Sequence, residues 1–139
     1  MKNILRITLF MAAWLFAGSL LLACQPGGPE TALLQGGVTI GPISPVEIPG
    51  QTQPVSPEIF AARKIVIYDE SGRDLVREVS ITQIDQGATG YYTVQLAPGT
   101  YVVDIKHTGI DSSHNVPQKI TLSADETVTL DIDIDTGIR

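Results

Sequence analysis

The sequence predicts an all-β fold, an antiparallel two-sheet sandwich of about seven strands set behind an N-terminal leader. Three observations carry this expectation. From Ala61 onward, short runs rich in valine, isoleucine, threonine and tyrosine are separated by turn signals. Within those runs apolar and polar residues alternate, and after Cys24 no segment sustains a helical period. At 139 residues the chain has room for one small domain.

Residues 1–23 come first and read as a signal peptide. Lys2 and Arg6 precede an uncharged, mostly apolar run from Ile7 to Ala23, which contains Trp14, the sole tryptophan. Positive charge, apolar stretch and small residues in that order make a secretory leader. An anchor helix that is never cleaved competes with it, because a run of about 17 residues reaches the lower limit for crossing a bilayer. Leu21, Leu22, Ala23 and Cys24 resemble the lipobox of bacterial lipoproteins, in which a small residue precedes a cysteine that is lipidated before the leader is cut away. The resemblance implies acyl chains such as palmitate at Cys24, a membrane as partner, and a place on the exported face of a bacterial cell-envelope membrane. One chain holds weakly, at about 0.8 kcal/mol per buried methylene, so two or three are needed for stable anchoring. With the sole cysteine so used, the domain must stand on its core without disulfides.

Residues 24–35, rich in glycine, proline and polar side chains, are expected to form a flexible tether, with the sandwich spanning 36–139. The stretch 41–58 contains five prolines and is expected to be a long surface loop without regular helix or central strand. Its "PISP" and "PVSP" segments fit the loose spacing of groove-binding proline ligands, but no basic residue flanks them closely and Glu47 and Glu58 sit nearby.

The strands follow: "GGVTI", "RKIVIYDE", "LVREVSITQI", "YYTVQL", "TYVVDIKH", "QKITL" and "TVTLDIDID". In the last, Val128, Leu130, Ile132 and Ile134 alternate with Thr127, Thr129, Asp131, Asp133 and Asp135, giving one core face and one acidic face. Tyr92, Val94 and Leu96, then Tyr101, Val103 and Ile105, extend the predicted core. Pro98 and Gly99 are expected at the centre of a turn that needs positive φ at the glycine.

"GYYTVQLAPGTYVVDI", residues 90–105, resembles the hairpin of carboxypeptidase regulatory-like domains, which are transthyretin-like seven-stranded sandwiches of exported proteins. The matching positions are Gly90, Tyr92, Pro98, Gly99, Tyr101 and Val103. The resemblance implies that fold over about residues 36–135, with 41–58 as an insertion, and implies a spacer, adhesive or chaperoning module rather than an activity.

The chemistry-bearing residues agree. After Cys24, seven basic side chains face fifteen acids, a net charge of about −8, so nucleic-acid binding is not expected. No catalytic residues are assigned, since no further cysteine exists and the two histidines, His107 and His114, lie in no catalytic signature. No cofactor is expected. Asp104, His107, Asp111 and His114 lie on or beside one loop and have zinc-ligand chemistry, but their spacing matches no metal motif and solvated loop side chains are the expected role. Asp131, Asp133 and Asp135 are read as an edge that repels other sheets. An isopeptide bond between Lys64 and a final-strand aspartate is not expected, because neither is placed inside. Of the aromatics after Cys24, Tyr91 alone is expected to face outward, a poor saccharide platform by itself.

The expected function is a membrane-anchored exported lipoprotein whose sandwich is a noncatalytic structural or protein-binding module. The alternative is a metal- or glycan-binding domain using the 107–117 loop.

Overall fold

The computed structural model describes residues 30–45 and 54–138; the leader and Cys24 lie outside them. Ten strands and one short helix follow in the order β1 (Ala32–Gly41), α1 (Pro57–Ala61), β2 (Lys64–Tyr68), β3 (Leu75–Ser80), β4 (Thr82–Gln83), β5 (Thr89–Leu96), β6 (Gly99–Ile105), β7 (Ser112–Ser113), β8 (Gln118–Leu122), β9 (Thr127–Thr129) and β10 (Ile132–Asp135). The first sheet runs β4-β5-β1-β10-β7, with β9 also paired to β1; the second runs β3-β2-β6-β8. Their inner faces meet over Leu34, Ile40, Ile65, Ile67, Tyr92, Val103 and Ile132, each at most 1 % exposed. The all-β sandwich is therefore as the alternation predicts.

Several boundaries are corrected. β1 begins at Ala32, inside the predicted 24–35 tether, and its alternating burial drives Ala32 and Leu34 into the core. It pairs antiparallel with β5 but parallel with both β9 and β10, so the array is not purely antiparallel. "LVREVSITQI" is two strands: β3 belongs to the second sheet, and the chain crosses at Ile81 so that β4 joins the first. Gly99 is not a left-handed turn residue; it already opens β6, paired with Leu122, and the Tyr101 ring lies over it with its hydroxyl donating to the Ala97 carbonyl at 2.9 Å.

The end of the proline-rich stretch is also more ordered than a loop. Pro57 is at the start of α1, where its missing N–H costs nothing, and the Ser56 side chain accepts from the Glu58 amide. Val55 is 5 % exposed, its amide donates to the Gln86 carbonyl and its carbonyl accepts from the Gln83 side chain. "PVSP" is thus pinned to the domain, while 46–53 lies outside the described residues.

The last predicted strand, 127–135, is interrupted at Leu130 and Asp131. Leu130 N–H donates to the Gln35 carbonyl at 2.8 Å, and the Leu130 carbonyl accepts the buried Tyr92 hydroxyl at 2.7 Å. Burial, and secondarily the charge of Asp131, pushes the Tyr92 phenol far above the ordinary tyrosine range. Because the folded state holds that proton more tightly than the unfolded chain, this contribution is intact below the ordinary pKa of 10.0 and is lost as pH climbs beyond it. Tyr92→Phe is expected to cost about 1–3 kcal/mol near neutrality, by leaving a buried carbonyl without its donor. It should also flatten the alkaline fall. Urea titrations of both proteins between neutral and alkaline pH measure both effects, and parallel curves would contradict the second.

Candidate functional site

The sandwich has two unlike poles. At one, β1 enters beside the end of β5 and the turn before β9: the Asp125 amide donates to the Thr31 carbonyl and the Leu33 amide to the Glu126 carbonyl. At the other, β1 leaves at Gly41, where the Thr136 amide donates to the Gly41 carbonyl. This second pole also carries α1, the start of β2 and the loop after β6. Together they enclose a depression of about 350 Å³.

Its polar floor is a buried ion pair. Period-two alternation along "RKIVIY" places Arg63 on the inward face with Ile65 and Ile67, at 9 % exposure. A guanidinium there needs acceptors. Asp111 supplies two, at 2.7 Å from Nε and 2.9 Å from Nη2, and the Ile59 carbonyl a third at 2.7 Å from Nη1. The fork-to-carboxylate geometry fixes both partners in one orientation. Residues 107–111 close into a compact turn around Asp111. Its amide donates to the Thr108 carbonyl, Gly109 takes φ +64, and the His107 Nδ1 lies 2.9 Å from the Asp111 carbonyl oxygen. The Thr108 hydroxyl ties the turn to the Ala62 carbonyl. Aliphatic walls from Ile43, Ile59 and Ile138 complete the depression, with Ile110 at its rim, 73 % exposed.

The sequence-derived candidates are not assembled as metal ligands. No group of three or more His, Cys, Asp or Glu side chains with ligand geometry occurs among the described residues. The reason is orientation. Asp104 faces out from the second sheet between inward Val103 and Ile105, where it accepts from the Ile105 amide. Asp111 turns inward to Arg63, His107 is held by the turn, and His114 is exposed further along. Lys64 bonds the Ser80 hydroxyl and Asp131 the Gly37 amide, so the isopeptide geometry does not arise. Tyr91 does face outward, 46 % exposed.

Sequence reasoning missed Arg63 as an interior residue. The signal was present: an alternating strand that opens with a basic residue in the apolar register demands a buried acid.

No family model matches the chain, and no curated protein matches it. Solved structures do. The minor pilin GBS52 of Streptococcus agalactiae is 18% identical over 76% of this chain and 44% of that one, with a TM-score of 0.46. A DUF3823 family protein of Parabacteroides merdae is 17% identical over 77% of this chain and 47% of that one, with a TM-score of 0.39. A leucine-rich repeat protein of Bacteroides thetaiotaomicron is 8% identical over 80% of this chain, at a TM-score of 0.37. The chain spans less than half the length of each of these proteins. Likeness at this level does not extend to what those proteins assemble with or bind.

Proposed function

We propose that the protein is an exported lipoprotein of the bacterial cell envelope. Its noncatalytic sandwich stands on a lipidated Cys24 and presents the depression at the far pole to a protein partner. The observation that carries this reading is the polarity of β1. Cys24 lies eight residues before Ala32, so a fully extended connection reaches at most about 29 Å. The pole with Thr31 and Glu126 then faces the membrane. The ten residues of β1 span roughly 33 Å, which supports a reading in which the Arg63–Asp111 pole is presented away from the membrane. An aliphatic depression with a neutralised polar floor and one protruding isoleucine suits an apolar side chain of a partner, since interface anchors are apolar groups seated in pockets.

Anchoring and partnership are tested separately. Intact-mass analysis of the protein from its native membrane is expected to show a chain beginning at Cys24 with acyl mass added; an intact Met1 or an unmodified thiol refutes the anchor. Photocrosslinking from position 110 in that membrane is expected to capture one discrete neighbour, and crosslinks no more frequent than those from position 119 on the second sheet's outer face refute the far-pole interface.

A further inference from the structure

We propose that the outer face of the first sheet carries a separate binding site for a single ring of a neutral saccharide, centred on Gly37 between Tyr91 and Asp131. Strand register builds it. On β1, Gln35 lies between Thr93 of β5 and Thr129 of β9; one step along, Gly37 lies opposite Tyr91, which has Thr82 of β4 on its other side. Each of these side chains except Gly37's rises from the sheet. Glycine at the centre therefore leaves a pit of about 370 Å³, at the small end of the range for ligand sites. Tyr91 on β5 and Asp131 in the break between β9 and β10 flank it from opposite sides of β1, with the Asp131 carboxylate leaning over Gly37.

The carboxylate is fixed in advance. Asp131 occupies the break between β9 and β10, its Oδ1 accepts from the Gly37 amide at 2.7 Å, and its carbonyl is held by the Asn115 side-chain amide. Among the described residues, the hydrogen bond to this carboxylate falls on Oδ1, which leaves Oδ2 open to a hydroxyl donor. Tyr91 contributes an aromatic face, Gln35 an amide, and Thr93 and Thr129 hydroxyls. A lone tyrosine is a poor platform, but here it forms one wall of a pit whose other wall is a rigid acceptor. An aromatic face for ring C–H groups opposite a carboxylate and amide for hydroxyls is the complement of a pyranose.

Other occupants fit less well. Among the described residues no lysine or arginine lines the pit, so none of them neutralises an anionic glycan or phosphate there. One carboxylate falls short of the six to eight oxygens that calcium takes. A peptide adding as a strand needs a sheet edge, and the pit lies on a face.

The test is saturation-transfer NMR with the full chain in a zwitterionic detergent free of sugar headgroups, against methyl glucosides, galactosides and mannosides and neutral oligosaccharides. Transfer to ring protons of at least one is expected, with a dissociation constant on the order of 1 mM for an open site of this size. Tyr91→Ala, and Gly37→Val as a plug, are each expected to weaken it by about tenfold or more, whereas Lys119→Gln on the other sheet leaves it unchanged. Tyr91 is exposed, so its variant decides the matter even where Gly37→Val fails to fold. No transfer to any neutral saccharide, transfer confined to charged ones, or transfer indifferent to Tyr91→Ala overturns the proposal. None of these results bears on the anchor at Cys24 or on crosslinking from position 110.

Discussion

Gly36→Ala is expected to prevent the domain from folding, while Gly37→Ala, one residue on, changes stability by about 1 kcal/mol or less. A Cβ at position 36 would lie 1.9 Å from the Leu130 carbonyl oxygen and 2.6 Å from its carbon. Both are backbone atoms. They cannot retreat, because Leu130 is tied on both sides: its N–H donates to the Gln35 carbonyl and its oxygen accepts the Tyr92 hydroxyl. Tyr92 stands opposite Gly36 in the β1–β5 register, and its ring would lie 3.0 Å from the added carbon. Gly36 is thus the gap through which the Tyr92 phenol crosses beneath β1 to reach the break between β9 and β10. Relieving the clash means giving up the parallel pairing of β1 with β9, β10 or both, along with burial of Leu34, Val38 and Ile132. The cost should exceed about 4 kcal/mol, a large share of the 5–15 kcal/mol that holds a domain of this kind together. At position 37 the nearest atom to an added Cβ is the Asp131 carboxylate, at an ordinary 3.4 Å. Circular dichroism and thermal melts of both variants decide the matter, and a folded Gly36→Ala protein with a normal midpoint would show that the strand break can be rebuilt.

That contrast marks where the sequence stops being informative. Period-two alternation exposes the core directly. Tyr92, Leu96, Val103, Ile105, Leu130, Ile132 and Ile134 are all buried, because a strand between two sheets must send every second side chain inward. Pairing is a different matter. Nothing local in "GGVTI" says that β1 takes antiparallel β5 on one side and two parallel strands on the other, since such partners lie 50 to 94 residues away and are selected by the closure of the whole sandwich. Nor does composition say which of two adjacent glycines touches a carbonyl. Turn chemistry alone predicts a reversal at Pro98–Gly99, and it carries no sign that Gly99 pairs with Leu122 under the Tyr101 ring. For the loop after β6, residue types suggested ligands, but chemistry of type does not fix direction. The four candidates leave three different elements pointing apart, and the strongest interaction in the region joins Asp111 to a residue 48 positions earlier.

Arg63→Ala is expected to destabilise the protein by about 3–5 kcal/mol, because it leaves the Asp111 carboxylate buried without its partner. The side chains of Arg63 and Asp111 are only 11% and 3% exposed, so water cannot replace the lost hydrogen bonds without opening the pole. Arg63→Lys should recover little, since an ammonium cannot reproduce the two-point fork to the carboxylate while also reaching the Ile59 carbonyl. The paired change Arg63→Met with Asp111→Leu removes both charges and keeps apolar bulk. It is expected to restore most of the loss, because the desolvation penalty disappears together with the attraction. What the pair should not restore is the shape of the 107–111 turn. With no carboxylate to draw residue 111 inward, the backbone contacts from Thr108 and His107 alone must hold Ile110 at the rim. Two measurements separate the roles. Urea titration reports the energy, with the order wild type, double variant, then Arg63→Lys and Arg63→Ala. Limited proteolysis within the turn reports its geometry, with the double variant cut faster than wild type despite comparable stability. Equal stability of Arg63→Ala and wild type would mean that the ion pair contributes nothing net. Equal proteolysis of the double variant and wild type would mean that the turn is held by its backbone and the apolar wall, leaving the ion pair no part in positioning Ile110.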